Sequence, residues 1–355
     1  MLQILTCIGP RWPPLWNALF LWDSFAFRRT FQYISYMKKS VKITIYVLIS
    51  LCVVMVAGLI LGANYMFAYA LDSQFEQGAL AEEEVEPLSE EEVSQDIPQT
   101  AEEWLVATSQ RETIISHDGL ELVGYYRAAP APTDKYALLV HGYKAGPTGM
   151  AHYARYYHDA GWNVVVPHHR AHGDSQGRYI GMGWLEHYDM LGWISRILAM
   201  EPDARILIHG VSMGAATTML VTGSANLPAN VEAAIADCGY SNVTAEFTHQ
   251  LKEIFGLPGF PLLPVTSLLT KLKANYSFDQ VDCQVAVARS STPTLFIHGD
   301  GDGFVPFEML DVVYNAAACP KEKLVVSGAG HAKSRETNPE LYWSTVNNFL
   351  SRFMN

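Results

Sequence analysis

Residues 205–218 read RILIHGVSMGAATT. A nearly continuous apolar run, 206–208, leads through His209 into Gly210-Val211-Ser212-Met213-Gly214, and the small residues Ala215, Ala216, Thr217 and Thr218 follow. Glycine on both sides of the serine permits a tight strand-to-helix turn that holds the hydroxyl exposed, in a strained backbone conformation, at a helix N-terminus. Ser212 is therefore the expected nucleophile. An ordinary glycine-rich turn is the competing reading, and the strand-turn-helix setting argues against it.

Brief apolar runs of the same kind recur at 137–140, 164–166, 233–236, 294–297 and 324–326. Their length and continuity suit strands buried on both faces. Residues 111–116 and 120–128 flank His117-Asp118-Gly119 and predict a hairpin turning at Asp-Gly. Between the runs lie helical patterns: Met150, Tyr153, Ala154 and Tyr157 recur at helical spacing, and residues 342–353 repeat apolar positions at similar intervals. Strand and helix in alternation predict an α/β fold, a mostly parallel sheet of about eight strands with helices on both faces. In such a sheet the chemistry belongs in the loops after the carboxyl ends of the strands. Residues 241–290 break the alternation with Phe247, Phe255, Leu257, Phe260, Leu262 and Leu263, and are expected to form a small cap over those loops.

A serine hydroxyl needs a base, and the base needs a third group to hold it. His331, in the glycine-containing loop Ser327-Gly328-Ala329-Gly330-His331, is the expected base. The acid should fall between the two in sequence. Asp302 fits, in the loop from His298 to Pro306, with Asp300 two residues away and Asp237 at the end of the preceding strand as alternatives. An oxyanion hole requires two backbone N–H donors aimed at the developing charge. Met213, directly after the nucleophile, is one candidate, and Tyr143, after His141-Gly142, is the other.

His141-Gly142, Gly210 to Gly214, His298 to Pro306 and Gly330-His331 occur in the order found in one group of enzymes. Over residues 111–353 the chain resembles the α/β-hydrolase superfamily, specifically its serine hydrolases. The resemblance implies the α/β-hydrolase fold and an esterase-like or lipase-like activity. That family usually carries an R-G-x-G-x-S type segment after the fourth strand. Here the segment is Arg170-Ala171-His172-Gly173-Asp174-Ser175, which departs at Ala171.

His168, His169, His172 and Asp174 invite a metal reading. Neighbouring histidines in one loop do not converge on a point without a distant partner, so no metal is expected, and a triad hydrolase needs no cofactor. The five cysteines include no C-x-x-C pair. Cys7 and Cys52 lie outside the body, and Cys238, Cys283 and Cys319 are odd in number, so compartment is not legible from cysteine.

The 355 residues are 49% apolar and 17% charged, enough for a sizeable core. The net charge of −12 is local: residues 72–103 hold twelve of the 36 acids and no Lys or Arg, leaving as many acids as the 24 bases elsewhere. A neutral body argues against a nucleic-acid partner. Residues 72–103, with Pro87 and Pro98, read as a solvated acidic spacer ahead of a hydrolase domain at 104–355.

Residues 43–71 contain no charge, and 43–61 read ITIYVLISLCVVMVAGLIL. About 20 apolar helical residues cross a bilayer. Lys38, Lys39 and Lys42 precede the run and acids follow it, which predicts a single-pass anchor with its N-terminus inside and the body outside. A buried core helix is one rival. A signal peptide cleaved near Ala68-Tyr69-Ala70 is the other, and it would leave a secreted protein. Met37-Lys38-Lys39 would make an ordinary export N-terminus, so translation is expected to start at Met37, leaving residues 1–36 of the basic and aromatic segment 1–42 untranslated; a native peptide from residues 1–36 would refute this.

These readings converge on a membrane-tethered serine hydrolase cleaving a small-molecule ester or related acyl bond. The alternatives are a peptidase or amidase on the same triad, or a silent binding protein.

Overall fold

The computed structural model describes residues 38–75 and 100–354. Most of the expected acidic spacer and the expected start at Met37 fall outside the described residues. The chain divides into two units, Met1–Ile60 and Leu61–Asn355.

The first unit contributes residues 39–60 of helix α1 (Lys39–Leu71), which is long and apolar enough to cross a membrane. Val53, Val54 and Met55 are exposed there, so among the described residues nothing covers this apolar surface. At 1.5 Å per residue α1 is roughly 50 Å long, against a hydrocarbon core of roughly 30 Å.

The second unit begins with the last turns of α1. Ala63, Phe67 and Leu71, spaced by four, are wholly buried, so this end of the helix belongs to a protein core. Helix α2 (Ala101–Thr108) follows, its start fixed by a capping box between Thr100 and Glu103. Then come β1 (Gln110–Ile115), β2 (Glu121–Arg127), β3 (Lys135–Val140), α3 (Ala151–Asp159), β4 (Asn163–Pro167), α4 (Trp184–Met200), β5 (Arg205–Val211), α5 (Met213–Thr222) and β6 (Val231–Asp237). The insertion holds α6 (Val243–Phe255), α7 (Leu262–Ala274) and α8 (Cys283–Val287). The chain ends with β7 (Thr294–Gly299), α9 (Glu308–Ala316), β8 (Lys321–Val326), α10 (Ser334–Thr337) and α11 (Pro339–Phe353).

The eight strands form one sheet in the order β1-β2-β4-β3-β5-β6-β7-β8. β1 and β2 form the antiparallel hairpin, β2 meets β4 antiparallel, and all other pairs are parallel. The apolar runs are the central strands: β4 and β7 are buried along their whole length, and β3, β5 and β6 nearly so. The edge strands differ. β1 and β8 alternate in exposure and carry Arg111, Glu112, Lys321 and Lys323, which blunts the open edges.

Tyr153 and Tyr157 of α3 and Phe349 of α11 pack on one face against Leu139, Leu207 and Ile235, while Trp193 and Ile197 of α4 pack on the other against Leu138 and Ile208. Each such aliphatic side chain contributes roughly 1.5–3 kcal/mol on burial. The insertion leaves and rejoins the body at one point, where Asn242 bridges Asp282. Parallel strands β3, β5, β6, β7 and β8 all release their loops at the same edge, and the four motif loops meet there.

Candidate active site

Ser212 stands between β5 and α5 with φ 58° and ψ −121°, a conformation L-residues rarely adopt. The glycines make that turn possible. A Cβ on Gly210 would sit 2.1 Å from the Gly214 carbonyl oxygen, and one on Gly214 would sit 2.0 Å from that of Val140. The Ser212 amide donates to the Asp237 carbonyl at 2.8 Å, pinning the turn to the end of β6.

The Ser212 Oγ lies 2.9 Å from His331 Nε2, and His331 Nδ1 lies 2.8 Å from Asp302 Oδ2. With Nδ1–H donating to the carboxylate, Nε2 is left to accept from the serine hydroxyl. Asp302 Oδ1 accepts from the Phe304 and Val305 amides, each at 2.9 Å, and Oδ2 also faces His298 Nε2 at 3.2 Å. Burial pushes this carboxyl up, but the bonds from His298, His331 and Val305 outweigh it and hold Asp302 well below the usual carboxylate range.

Of the three candidate acids, only Asp302 bonds His331 among the described residues. Asp300 accepts from the Ser327 hydroxyl and the Gly328 amide, bracing the loop that leads to His331. Asp237 accepts from the Tyr342 hydroxyl at 2.9 Å. Burial pushes its carboxyl up to about 6, opposed by that bond.

The two nominated amides belong to residues in segments next to the serine. Met213 opens α5, so its N–H has no acceptor within the helix. Tyr143 follows Gly142, where an added Cβ would lie 3.3 Å from Ser212 Cβ, so this loop passes directly over the nucleophile.

The loop histidines hold the loop that carries Tyr143. His141 Nε2 accepts from the His169 amide at 3.0 Å, His169 Nε2 reaches the His141 carbonyl at 2.9 Å, and His172 Nε2 accepts from the Lys144 amide at 3.1 Å. Burial lowers His169 to about 3 and His172 to about 4, so both stay neutral, His172 Nε2 accepting and His169 Nε2–H donating. Ala171, where the family pattern has glycine, has φ 60°, which accounts for the usual glycine. Beside it Arg170 binds Asp189 at 2.6 and 2.7 Å and Asp118 at 2.8 and 3.1 Å. Cys238, Asp302 and His331 also converge, their ligand atoms within 4.8 Å. The fit to a metal is poor, because burial keeps the Cys238 thiol protonated and the other two groups are bonded to each other.

Three features escape the sequence reading. Phe304 stacks at a tilt on His331, ring centroids 4.8 Å apart. A buried chain runs Tyr157–His209–Tyr342–Asp237 behind the site, with gaps of 2.9, 3.0 and 2.9 Å. Glu246 of α6 is 3% exposed, and burial pushes it up to about 8. Its signal was an acid on the helical phase of Val243, Phe247 and Leu251.

A strained serine on a glycine elbow, a late loop histidine and an acid after the penultimate parallel strand define the α/β-hydrolase class. No family model matches the chain. The chain is 31% identical over 234 residues to the uncharacterized protein YqkD of Bacillus subtilis, covering 65% of this chain and 76% of that one. It is 29% identical over 203 residues to the lysophosphatidylserine lipase ABHD12 of Rattus norvegicus, covering 55% of this chain and 48% of the lipase. Among solved structures, the Pyrococcus furiosus esterase Pf2001 superposes with a TM-score of 0.57 at 22% identity, over 70% of this chain and 93% of the esterase. The chain belongs to the α/β-hydrolase superfamily, in one family with YqkD.

Proposed function

We propose that this protein is a serine hydrolase cleaving an ester or related acyl bond through an acyl-enzyme. The observation that carries the reading is the continuous bond path Ser212–His331–Asp302. Ser212 Oγ attacks the carbonyl carbon while its proton passes to His331 Nε2. Asp302 keeps the imidazole in the required tautomer and stabilises the imidazolium. The Met213 and Tyr143 amides receive the oxyanion. Collapse expels the leaving group, which takes the proton from His331, and water repeats the sequence to release the acid. Every proton moved in this cycle travels on His331, and no cofactor enters it.

The substrate side is a small molecule with an apolar acyl part, a reading supported by the apolar cap residues and by the lipase among the relatives. α1 serves as a single-pass anchor, with its N-terminus inside, the body outside and the acidic stretch as spacer. Burial of Ala63, Phe67 and Leu71 supports anchor over cleaved signal, since a cut after Ala70 would remove two of those three from the core.

Labelling of the full chain with a fluorophosphonate tests the nucleophile. Wild type should label, and Ser212→Ala should lose both the label and roughly 10⁴-fold or more of the esterase rate. Unchanged labelling of Ser212→Ala refutes the assignment.

A further inference from the structure

Helix α7 is apolar on its outer side as well as its buried one. Its buried face carries Leu263, Thr266, Thr270 and Ala274, with the two threonine hydroxyls satisfied by the carbonyls of Leu262 at 3.0 Å and Thr266 at 2.9 Å. Its outer face carries Leu268 and Leu272, one turn apart and 59% and 73% exposed. Phe260, just before the helix, is 79% exposed, and Ile254 at the end of α6 and Leu257 in the turn after it are exposed too. Scattered exposed leucines need no explanation, but Leu268 and Leu272 stand together with Phe260, Ile254 and Leu257, a second apolar surface beyond the one that the helix buries.

That surface adjoins the end of α1. Lys273 Nζ lies 2.5 Å from Asn64 Oδ1 and 4.7 Å over the Phe67 ring. Leu262 Cδ1 lies 3.4 Å from where a Cβ on Gly62 would be. The uninterrupted apolar run ends at Leu61, so α7 packs where the chain leaves the segment proposed to span the bilayer. The side chains there suit that depth. Tyr65 is partly exposed, as in an interfacial aromatic belt, and the exposed Lys271 beside Leu272 is able to lay its stem along apolar surface and reach lipid phosphates. Thirteen residues are too few to span, which leaves the plane of the interface.

We infer that the outer face of α7, with Phe260, is a membrane-contact surface that seats the cap in the lipid headgroup layer beside the anchor. This rests on the anchor reading of α1. The seated cap also touches the site: Gln250 of α6 donates to the Phe304 carbonyl at 2.7 Å and His249 Nε2 meets the Gly303 carbonyl at 3.0 Å, both in the loop of Asp302.

The test uses the full chain in phosphatidylcholine/phosphatidylglycerol vesicles, with Cys7→Ser and Cys52→Ser removing the cysteines outside the body. An environment-sensitive fluorophore is placed singly through Val54→Cys, Leu268→Cys, Leu272→Cys or Asp203→Cys. Lipids spin-labelled deep in the chain should quench the probe at 54, lipids labelled near the headgroup should quench at 268 and 272, and neither should quench at 203. Quenching at 54 but not at 268 or 272 overturns the cap contact and leaves the anchor standing. No quenching at 54 overturns the anchor, and the cap contact falls with it. Probes at 268 and 272 shielded from aqueous iodide yet untouched by lipid, in a dimeric protein, overturn it in favour of a second copy. The pair Leu268→Glu and Leu272→Glu should slow hydrolysis of a vesicle-borne acyl ester roughly tenfold while leaving a short soluble ester unaffected. Equal losses on both substrates refute a membrane role.

Discussion

The Tyr143 hydroxyl donates to the Ala70 carbonyl at 2.9 Å, joining the loop over Ser212 to the last turn of α1. The residue proposed to offer its amide to the oxyanion is thereby held from its side chain by the helix proposed as the anchor. Tyr143→Phe removes the bond and keeps the ring. With one neutral hydrogen bond contributing about 0.5–1.5 kcal/mol, kcat on a short ester should fall roughly three- to tenfold while KM stays near wild type. A KM shift with unchanged kcat would mean that the hydroxyl helps bind substrate and does not position the amide.

The same helix end should matter to stability. Phe67 is 1% exposed and packs edge-on to Tyr179, centroids 5.2 Å apart. Phe67→Ala should destabilise the body by about 3–5 kcal/mol in thermal or denaturant unfolding of the full chain in detergent. Val54→Ala, on the uncovered part of α1, should leave the unfolding of the body within about 0.5 kcal/mol of wild type. Equal effects from the two would deny α1 its place in the core.

How far the sequence reaches is visible at these residues. The central strands were legible because burial on both faces forces continuous apolar runs, and Ser212 and His331 stood out as candidates because their loops carry glycine at fixed offsets. Asp302 was the expected acid by the place of its loop, but Asp237 and Asp300 stayed open beside it, since no local pattern shows which carboxylate meets an imidazole about 30 residues away or more. Nor was the bond from Tyr143 to Ala70 legible, since it crosses 73 positions with no local pattern. The uncharged stretch 43–71 read as one apolar block, yet its last third spends its apolar side chains on the core of the body. Composition alone does not separate a lipid-facing from a protein-facing helical turn.

Glu246 should make stability depend on pH. The unfolded chain releases this proton near 4.5, whereas the folded protein holds it up to about 8. Between those values the folded state binds the extra proton, so its stability falls as pH rises through the window. Glu246→Gln keeps the shape and an acceptor for Gln250, whose amide now bonds Glu246 Oε1 at 2.9 Å. The variant should match wild type near pH 4.5 and exceed it by on the order of 1 kcal/mol or more at pH 8.5, read from urea midpoints. Parallel pH curves for the two proteins would exclude a buried neutral carboxyl.

Ala171 holds φ 60° in the loop behind the histidines. Glycine adopts that conformation without the clash that a Cβ brings. Ala171→Gly should therefore stabilise the folded state, against a partial loss from the freer unfolded chain, for a net gain of up to about 1 kcal/mol with activity retained. A drop in the melting temperature would show that the Ala171 methyl group contributes packing worth more than its strain.

Asp302 and Asp237 offer the sharpest contrast, because both are buried carboxylates close to the relay and only one touches it. Asp302→Asn would present an amide in place of the acceptor of His331 Nδ1–H. The imidazole would then favour the other tautomer, with a proton on Nε2 where the serine proton must go, and kcat should fall roughly 10⁴-fold. Asp237→Asn leaves His331 bonded to Asp302 and keeps an oxygen for the Tyr342 hydroxyl. It also removes a carboxyl that burial already pushes up to about 6. Its kcat at pH 7 should stay within about tenfold of wild type, its effect confined to the Tyr342–His209 network behind the sheet. Comparable losses in the two variants would mean that the negative charge of Asp237 also stabilises the imidazolium, and that the relay has two acids.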